Sequence, residues 1–216
     1  MQPCLLIFDL DGTLIDSRQD LATAINLTRR DLGLPPLPVE RVAGFVGDGA
    51  KKLLERSLRG EPVEIDRVAP HFFQHYREHL CDATTLYSGV AEGLSRLKGN
   101  GFLTAMISNK PSEFCCTILK HFNLRALFSS TLGGDDTVHL KPHPEPIFQT
   151  LEKRVVSASN AWMIGDHRTD LEAARHAHVH SGFVTYGIGT AAPEKPEITW
   201  DTFTEMTEYF IKGDAR

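Results

Sequence analysis

Short runs rich in apolar residues recur along the chain at 4–8, 102–107, 128–132, 161–164 and 180–185. Runs of that length, bounded by Gly, Asp and Asn, read as buried strands. The run at 180–185 is the last of them. Between the later runs, apolar residues return at helical spacing: Val90, Leu94 and Leu97; Phe114, Ile118 and Phe122; Ile147 and Leu151; Leu171 and Ala174. Strand–helix alternation of this kind predicts an α/β fold, a doubly wound, Rossmann-like parallel sheet with helices on both faces.

Residues 17–83 have a different texture. Ser17 with Asp20 three residues on resembles a capping box, and Leu21, Ile25, Thr28 and Leu32 continue a helix. Leu34-Pro35-Pro36-Leu37-Pro38 stops it. Val39, Val42 and Val46 mark a second helix. Gly47-Asp48-Gly49 opens a third, with Ala50, Leu53, Leu54 and Leu58 on one side, and Val68, Phe72, Tyr76 and Leu80 mark a fourth. No strand is expected here. The chain therefore divides into an α/β core domain, 1–16 and 84–216, and an inserted α-helical cap domain, 17–83.

Composition narrows the class. The 216 residues are 41% hydrophobic and 24% charged, with a net charge of −5, ordinary for a soluble protein and against a nucleic-acid binder. No run approaches the ~18 apolar residues of a membrane span, and the first residues lack the pattern of a signal peptide. Cys4, Cys81, Cys115 and Cys116 have neither the spacing of a zinc site nor that of a disulfide framework. The expectation is a cytoplasmic protein with no nucleic-acid or membrane partner, a monomer or a homodimer.

The polar clusters fall where predicted strands end. Asp9 and Asp11 follow the first strand, Ser108-Asn109 the second and Gly165-Asp166 the fourth, while Lys141 precedes a helix and Asp170 follows Asp166 by four residues. In a parallel sheet such ends converge on one edge. Asp and Gly are also ordinary turn residues, so a strand-capping turn at Asp9–Gly12 is the bland alternative. Carboxylates from two strands suit a hard cation, most simply Mg²⁺. A lysine, a hydroxyl and an amide suit phosphate oxygens. One carboxylate can act as nucleophile and another as proton donor. Together these groups describe phosphoryl transfer through an aspartyl-phosphate.

Asp9-Leu10-Asp11-Gly12-Thr13-Leu14 resembles the first motif of the haloacid-dehalogenase superfamily, Ser108 its second, Lys141 its third and Gly165-Asp166-His167-Arg168-Thr169-Asp170 its fourth. The resemblance implies that Asp9 is the nucleophile and Asp11 the acid and base. It implies that Ser108, Asn109 and Lys141 bind phosphate, and that Asp9, Asp166 and the Asp11 main-chain carbonyl hold Mg²⁺. Asp170 and Thr13 would support them. An acid at position 11 favours ester hydrolysis, since a departing halide needs no proton. Phe45-Val46-Gly47-Asp48-Gly49-Ala50, Ser108-Asn109-Lys110-Pro111 and Lys141-Pro142-His143-Pro144 are similar to phosphoglycolate phosphatases. The implied substrate is a small phosphorylated metabolite, 2-phosphoglycolate first. Departures lie at Asp48, where Asn is more usual, at His167, and at Ala177-His178, which lacks an Ala-Gly pair. Inorganic pyrophosphatase, sugar-phosphate phosphatase and phosphomutase activities share the pattern. A non-catalytic phosphate-binding scaffold or signalling protein is the reading from another class.

Within the helical insertion, Gly47, Lys51 and Lys52 are candidate contacts for the non-phosphate end of the substrate, because a helix N-terminus favours anions. A capped surface helix with solvated lysines is the competing reading. His71, His75 and His79, four apart, read as a solvated or interface face rather than a metal ladder, and His167 adjoins the fourth motif.

Overall fold

Leu5, Leu6, Ile7 and Phe8 are all fully buried, as an apolar strand covered on both faces must be. They form β1 (Leu5–Phe8) at the centre of the sheet. The computed structural model describes residues 4–213. After β1, β2 (Ile15–Asp16) leads into four helices, α1 (Arg18–Asp31), α2 (Val39–Ala43), α3 (Ala50–Ser57) and α4 (Ile65–Glu78), and β3 (Thr85–Leu86) follows. Then come α5 (Val90–Gly99), β4 (Leu103–Ile107), α6 (Ser112–His121), β5 (Ser130–Leu132), α7 (Glu145–Arg154), β6 (Ala161–Gly165), α8 (Arg168–Ala177), β7 (His180–Val184), β8 (Ile198–Trp200) and α9 (Phe203–Lys212).

The sheet order is β5-β4-β1-β6-β7-β8, all parallel. Counting only these strands in chain order gives 3-2-1-4-5-6, the arrangement of doubly wound sheets, whose ligands bind where the winding reverses. That point lies between β1 and β6. The predicted fold class is therefore present. No helix among the described residues is long and apolar enough to cross a membrane.

The expectations need correction at several places. Strand 180–185 is not the last: β8 adds a sixth parallel strand beside β7, and α9 closes over it. Trp162, Trp200 and Phe210 meet there, with Phe210 5.4 Å from Trp162 and 5.7 Å from Trp200 between ring centroids. The ribbon of β2 and β3 pairs Ile15 with Leu86 and Asp16 with Thr85, lacing together the two crossings into the helical segment. Ser17 makes no cap bond to its helix. Its hydroxyl donates to Asp11 Oδ1 at 2.5 Å instead. Asp20, the would-be partner, accepts from Ala83 N, Thr84 N and Thr84 Oγ1 at 2.6–3.1 Å, fastening the start of the segment to its end.

One backbone position is strained for its residue. Val155, at the end of α7, has φ 55° and ψ 47° and is 80% exposed. A left-handed conformation costs an L-residue roughly 1–2 kcal/mol, and little packing is at stake. Val155→Gly should raise stability by about 0.5–1.5 kcal/mol, a few degrees in Tm. A thermal melt showing no rise would overturn that expectation.

Candidate active site

Asp9 follows the last residue of β1, Asp166 the last of β6, and Ser108 the last of β4, so the three meet at the carboxyl edge of the sheet. The loop after β1 passes so close to Asp166 that only glycine fits at position 12. Its φ is +84°, and a Cβ there would lie 2.0 Å from Asp166 Oδ2. Thr13 Oγ1 donates to Asp166 Oδ1 at 3.0 Å, and the N–H groups of Ile188 and Gly189 donate to Oδ2 at 2.8 Å each. A capping box does exist, at the start of α8: His167 N donates to Asp170 Oδ2 at 3.1 Å, while the His167 ring accepts from Thr169 N. The box fixes Asp170 beneath the site.

Lys141 ties the cluster together. Its Nζ lies 2.9 Å from Asp9 Oδ1 and 2.7 Å from Asp170 Oδ1, and donates to Ile107 O at 2.9 Å. Burial alone would lower the lysine, but Asp170 and Asp9 outweigh it and hold it above its usual range. Asp9, Asp166 and Asp170 bring one oxygen each within 4.8 Å of one another, the one such group among the described residues. Burial, then Asp9 and Asp170, push Asp166 up to about 7. Burial pushes Asp9 up to about 6, against the opposing pull of Lys141. Three buried carboxylates share one ammonium, so the cluster carries surplus negative charge. A set of oxygen donors in that condition fits a hard divalent cation.

The Asp11 carboxylate lies outside that trio. Its Oδ1 accepts from Ser17 Oγ and from Lys110 Nζ, both at 2.5 Å. Lys110 is a site residue that the motif reading quotes but assigns no part. Its side chain is 5% exposed, and its Nζ sits 5.0 Å from the centre of the Tyr76 ring. Asp11 and Tyr76 overcome the effect of burial and raise its pKa. Only the fold brings Tyr76 of α4 and Phe114 of α6 together, 5.0 Å apart edge to face, to enclose it.

Asn109 joins three parts of the chain. Its amide donates to Gly47 O at 3.0 Å and Lys141 O at 2.8 Å, and its Oδ1 accepts from Lys141 N at 2.9 Å. Asp9, Asp11, Ser108, Asn109 and Lys110 line one side of a cavity whose opposite wall is apolar and comes largely from α3 and α4. The space open to the centres of water-sized groups is about 50 Å³.

Of the candidate contacts in the helical segment, Gly47 reaches the cavity and the two lysines do not. Gly47 packs on His167, whose ring would lie 2.8 Å from a Cβ there. Burial lowers the pKa of that ring. Lys51 pairs with Asp66 and Lys52 with Glu55, with side chains 66% and 57% exposed. The helix they open presents Leu53, Leu54 and Ser57 inward, which turns positions 51 and 52 outward. Asp48 is occupied by Arg56 at 2.5 Å and Arg168 at 2.8 Å. His75 and His79 meet separate carboxylates, Asp31 and Asp82, rather than one common point, and the His75 side chain is largely covered.

Known proteins resemble this chain in sequence and in fold. A family model for haloacid dehalogenase-like hydrolases matches residues 6–184. A phosphoglycolate phosphatase of Colwellia psychrerythraea is 38% identical over 213 residues, covering 94% of each chain. One from Chromobacterium violaceum is 37% identical, covering 95% of this chain and 96% of its own. The crystal structure of a predicted phosphoglycolate phosphatase from Haemophilus somnus superposes with a TM-score of 0.92 at 32% identity, over 97% of this chain and 99% of that one.

Proposed function

Because the chain belongs to the haloacid dehalogenase-like hydrolase family and is a phosphoric monoester hydrolase, we propose that it hydrolyses 2-phosphoglycolate with magnesium through an aspartyl-phosphate. The observation that carries the reading is Asp9 itself. It opens on the cavity while Lys141 grips it from behind, beside two further buried acids.

In this reading Asp9 attacks phosphorus, and the new Asp9–phosphorus bond forms as the ester P–O bond breaks. Asp11 gives its proton to the departing alkoxide, then takes one from the water that cleaves the aspartyl-phosphate. Ser108 meets the phosphate oxygens, Lys141 from behind Asp9 offsets the charge that develops in the transition state, and Asn109, its side chain taken up by Gly47 and Lys141, holds the loop rather than the phosphate. Asp170 orients Lys141, and Thr13 orients Asp166. Asp9, Asp166 and the Asp11 carbonyl would hold Mg²⁺. When bound, the ion shields the attacking carboxylate from the phosphate charge. Residues 17–83 act as a cap over a core of 1–16 and 84–216, excluding water when closed.

Phosphate release from 2-phosphoglycolate, pyrophosphate and glucose phosphates, with magnesium or with EDTA, tests the proposal. Turnover greatest on 2-phosphoglycolate and abolished by EDTA supports it. Preference for another ester or for pyrophosphate moves the substrate and keeps the chemistry. Isomerisation of a glucose phosphate without release points to a mutase, and no turnover at all points to a scaffold.

Metal linkage gives a second check. Asp9 and Asp166 titrate higher folded than unfolded, so between about pH 4 and 7 the metal-free fold holds more protons than the open chain. Its stability from these groups therefore falls as pH rises through that window. A cation replaces those protons. Magnesium should raise Tm clearly at pH 7.5 and much less at pH 5.0, beyond any effect of sodium chloride at equal ionic strength. Equal shifts at both pH values would rule out Asp9 and Asp166 as its ligands.

A further inference from the structure

Three charged side chains line the cavity among the described residues: Asp9, Asp11 and Lys110. A substrate that carries a second anionic group beyond its phosphate needs a cation there, and the others nearby are engaged. Lys51 and Lys52 point outward, Arg56 and Arg168 both close on Asp48, and Lys141 lies behind Asp9. An ammonium has three N–H donors, and Asp11 takes one of those on Lys110. Beside Lys110 stands the buried Tyr76 hydroxyl, close enough to interact with the ammonium but without a partner that meets ordinary hydrogen-bond geometry. An unmatched buried hydroxyl is costly to the fold, and Tyr76 is among the residues that line the same cavity.

We propose that the Lys110 ammonium and the Tyr76 hydroxyl form the receptor for the carboxylate of the substrate, and so select phosphate esters that bear one. The inference rests on the reading of 2-phosphoglycolate as substrate and names the residues that impose that choice. It also explains why an apolar wall from α4 carries a single phenol. Phe72 and Phe73 exclude water from the receptor, while Tyr76 supplies the one directional donor. A carboxylate seated there satisfies the hydroxyl and leaves the Lys110–Asp11 contact in place.

The test compares 2-phosphoglycolate with 2-hydroxyethyl phosphate, the same ester with an alcohol in place of the carboxylate. The readout is the ratio of their kcat/KM values. Wild-type protein should prefer the carboxylate on the order of 100-fold, the strength of a charge-assisted pair. Lys110→Met should collapse that ratio at least 30-fold, and Lys110→Arg should keep most of it. Tyr76→Phe should lower it about fivefold, through KM more than kcat, and it removes an unmatched polar atom, so its Tm should equal or exceed that of the wild type. That variant keeps the test decisive if Lys110→Met fails to fold. If the variants lose activity on both esters in parallel and the ratio stays within twofold of wild type, Lys110 merely positions Asp11 and the receptor is refuted. A wild-type ratio near one refutes the 2-phosphoglycolate reading, and the receptor with it.

Discussion

Replacing Asp9 by Asn is expected to lower phosphate release by at least ~10⁴-fold while leaving the metal-free protein more stable at pH 7.5. The loss follows from the role proposed for this carboxylate, since an amide oxygen cannot attack phosphorus and removal of a nucleophile is among the costliest changes an active site can suffer. The gain follows from its surroundings. Burial pushes Asp9 up to about 6, so near neutral pH the fold holds a charge it disfavours. Asn keeps an oxygen that can accept from Leu10 N, at 2.7 Å in the native protein, and leaves Lys141 with Asp170 and Ile107 O. A stabilisation on the order of 1–3 kcal/mol is expected. Phosphate release and a melting curve on one preparation check both halves. Residual activity above about 1% would place the nucleophile elsewhere.

Lys141→Met is expected to act in the opposite sense on stability. It removes the one ammonium that touches Asp9 and Asp170 among the described residues. Breaking a buried ion pair from one side costs about 3–5 kcal/mol, which for a chain of this size is about 10 °C in Tm. Asp9, deprived of the lysine that pulls it down, should titrate higher still in the folded state. The deficit should therefore shrink as pH falls from 7.5 towards 5 and the acids take up protons. A variant that melts within about 2 °C of wild type across that range would show that the lysine does not hold the cluster.

The parts of this site that a sequence displays are those fixed by local chemistry. Asp9, Asp11, Ser108, Asp166 and Asp170 each stand one or a few residues beyond an apolar strand, and the sheet must bring such ends together. Lys110 was not legible in the same way, because a lysine before a proline looks solvated. Its burial depends on Tyr76 and Phe114, which are remote in sequence from each other and meet only in the fold. Lys51 and Lys52 misled for the reverse reason. Their proximity to a glycine turn suggested an anion site, although the period of Leu53, Leu54 and Ser57 already set them on the outer face. The pattern at Phe203, Met206, Thr207 and Phe210 was a readable helix, but β8 was not. Three residues at a sheet edge carry too little periodicity to stand out.

The position of β1 has a consequence for how the chain comes into being. The earliest strand of the sheet in chain order lies in its middle, with Leu5 paired to Leu103 on one side and to Ala161 on the other. At roughly 5–20 residues per second, its second neighbour leaves the ribosome on the order of 10 s after it does. Throughout that interval four wholly apolar residues have an open edge, and contacts of such long range form slowly even in a free chain. The nascent protein therefore depends on whatever shields that segment until translation passes β6, and a product released earlier would lack a completed centre.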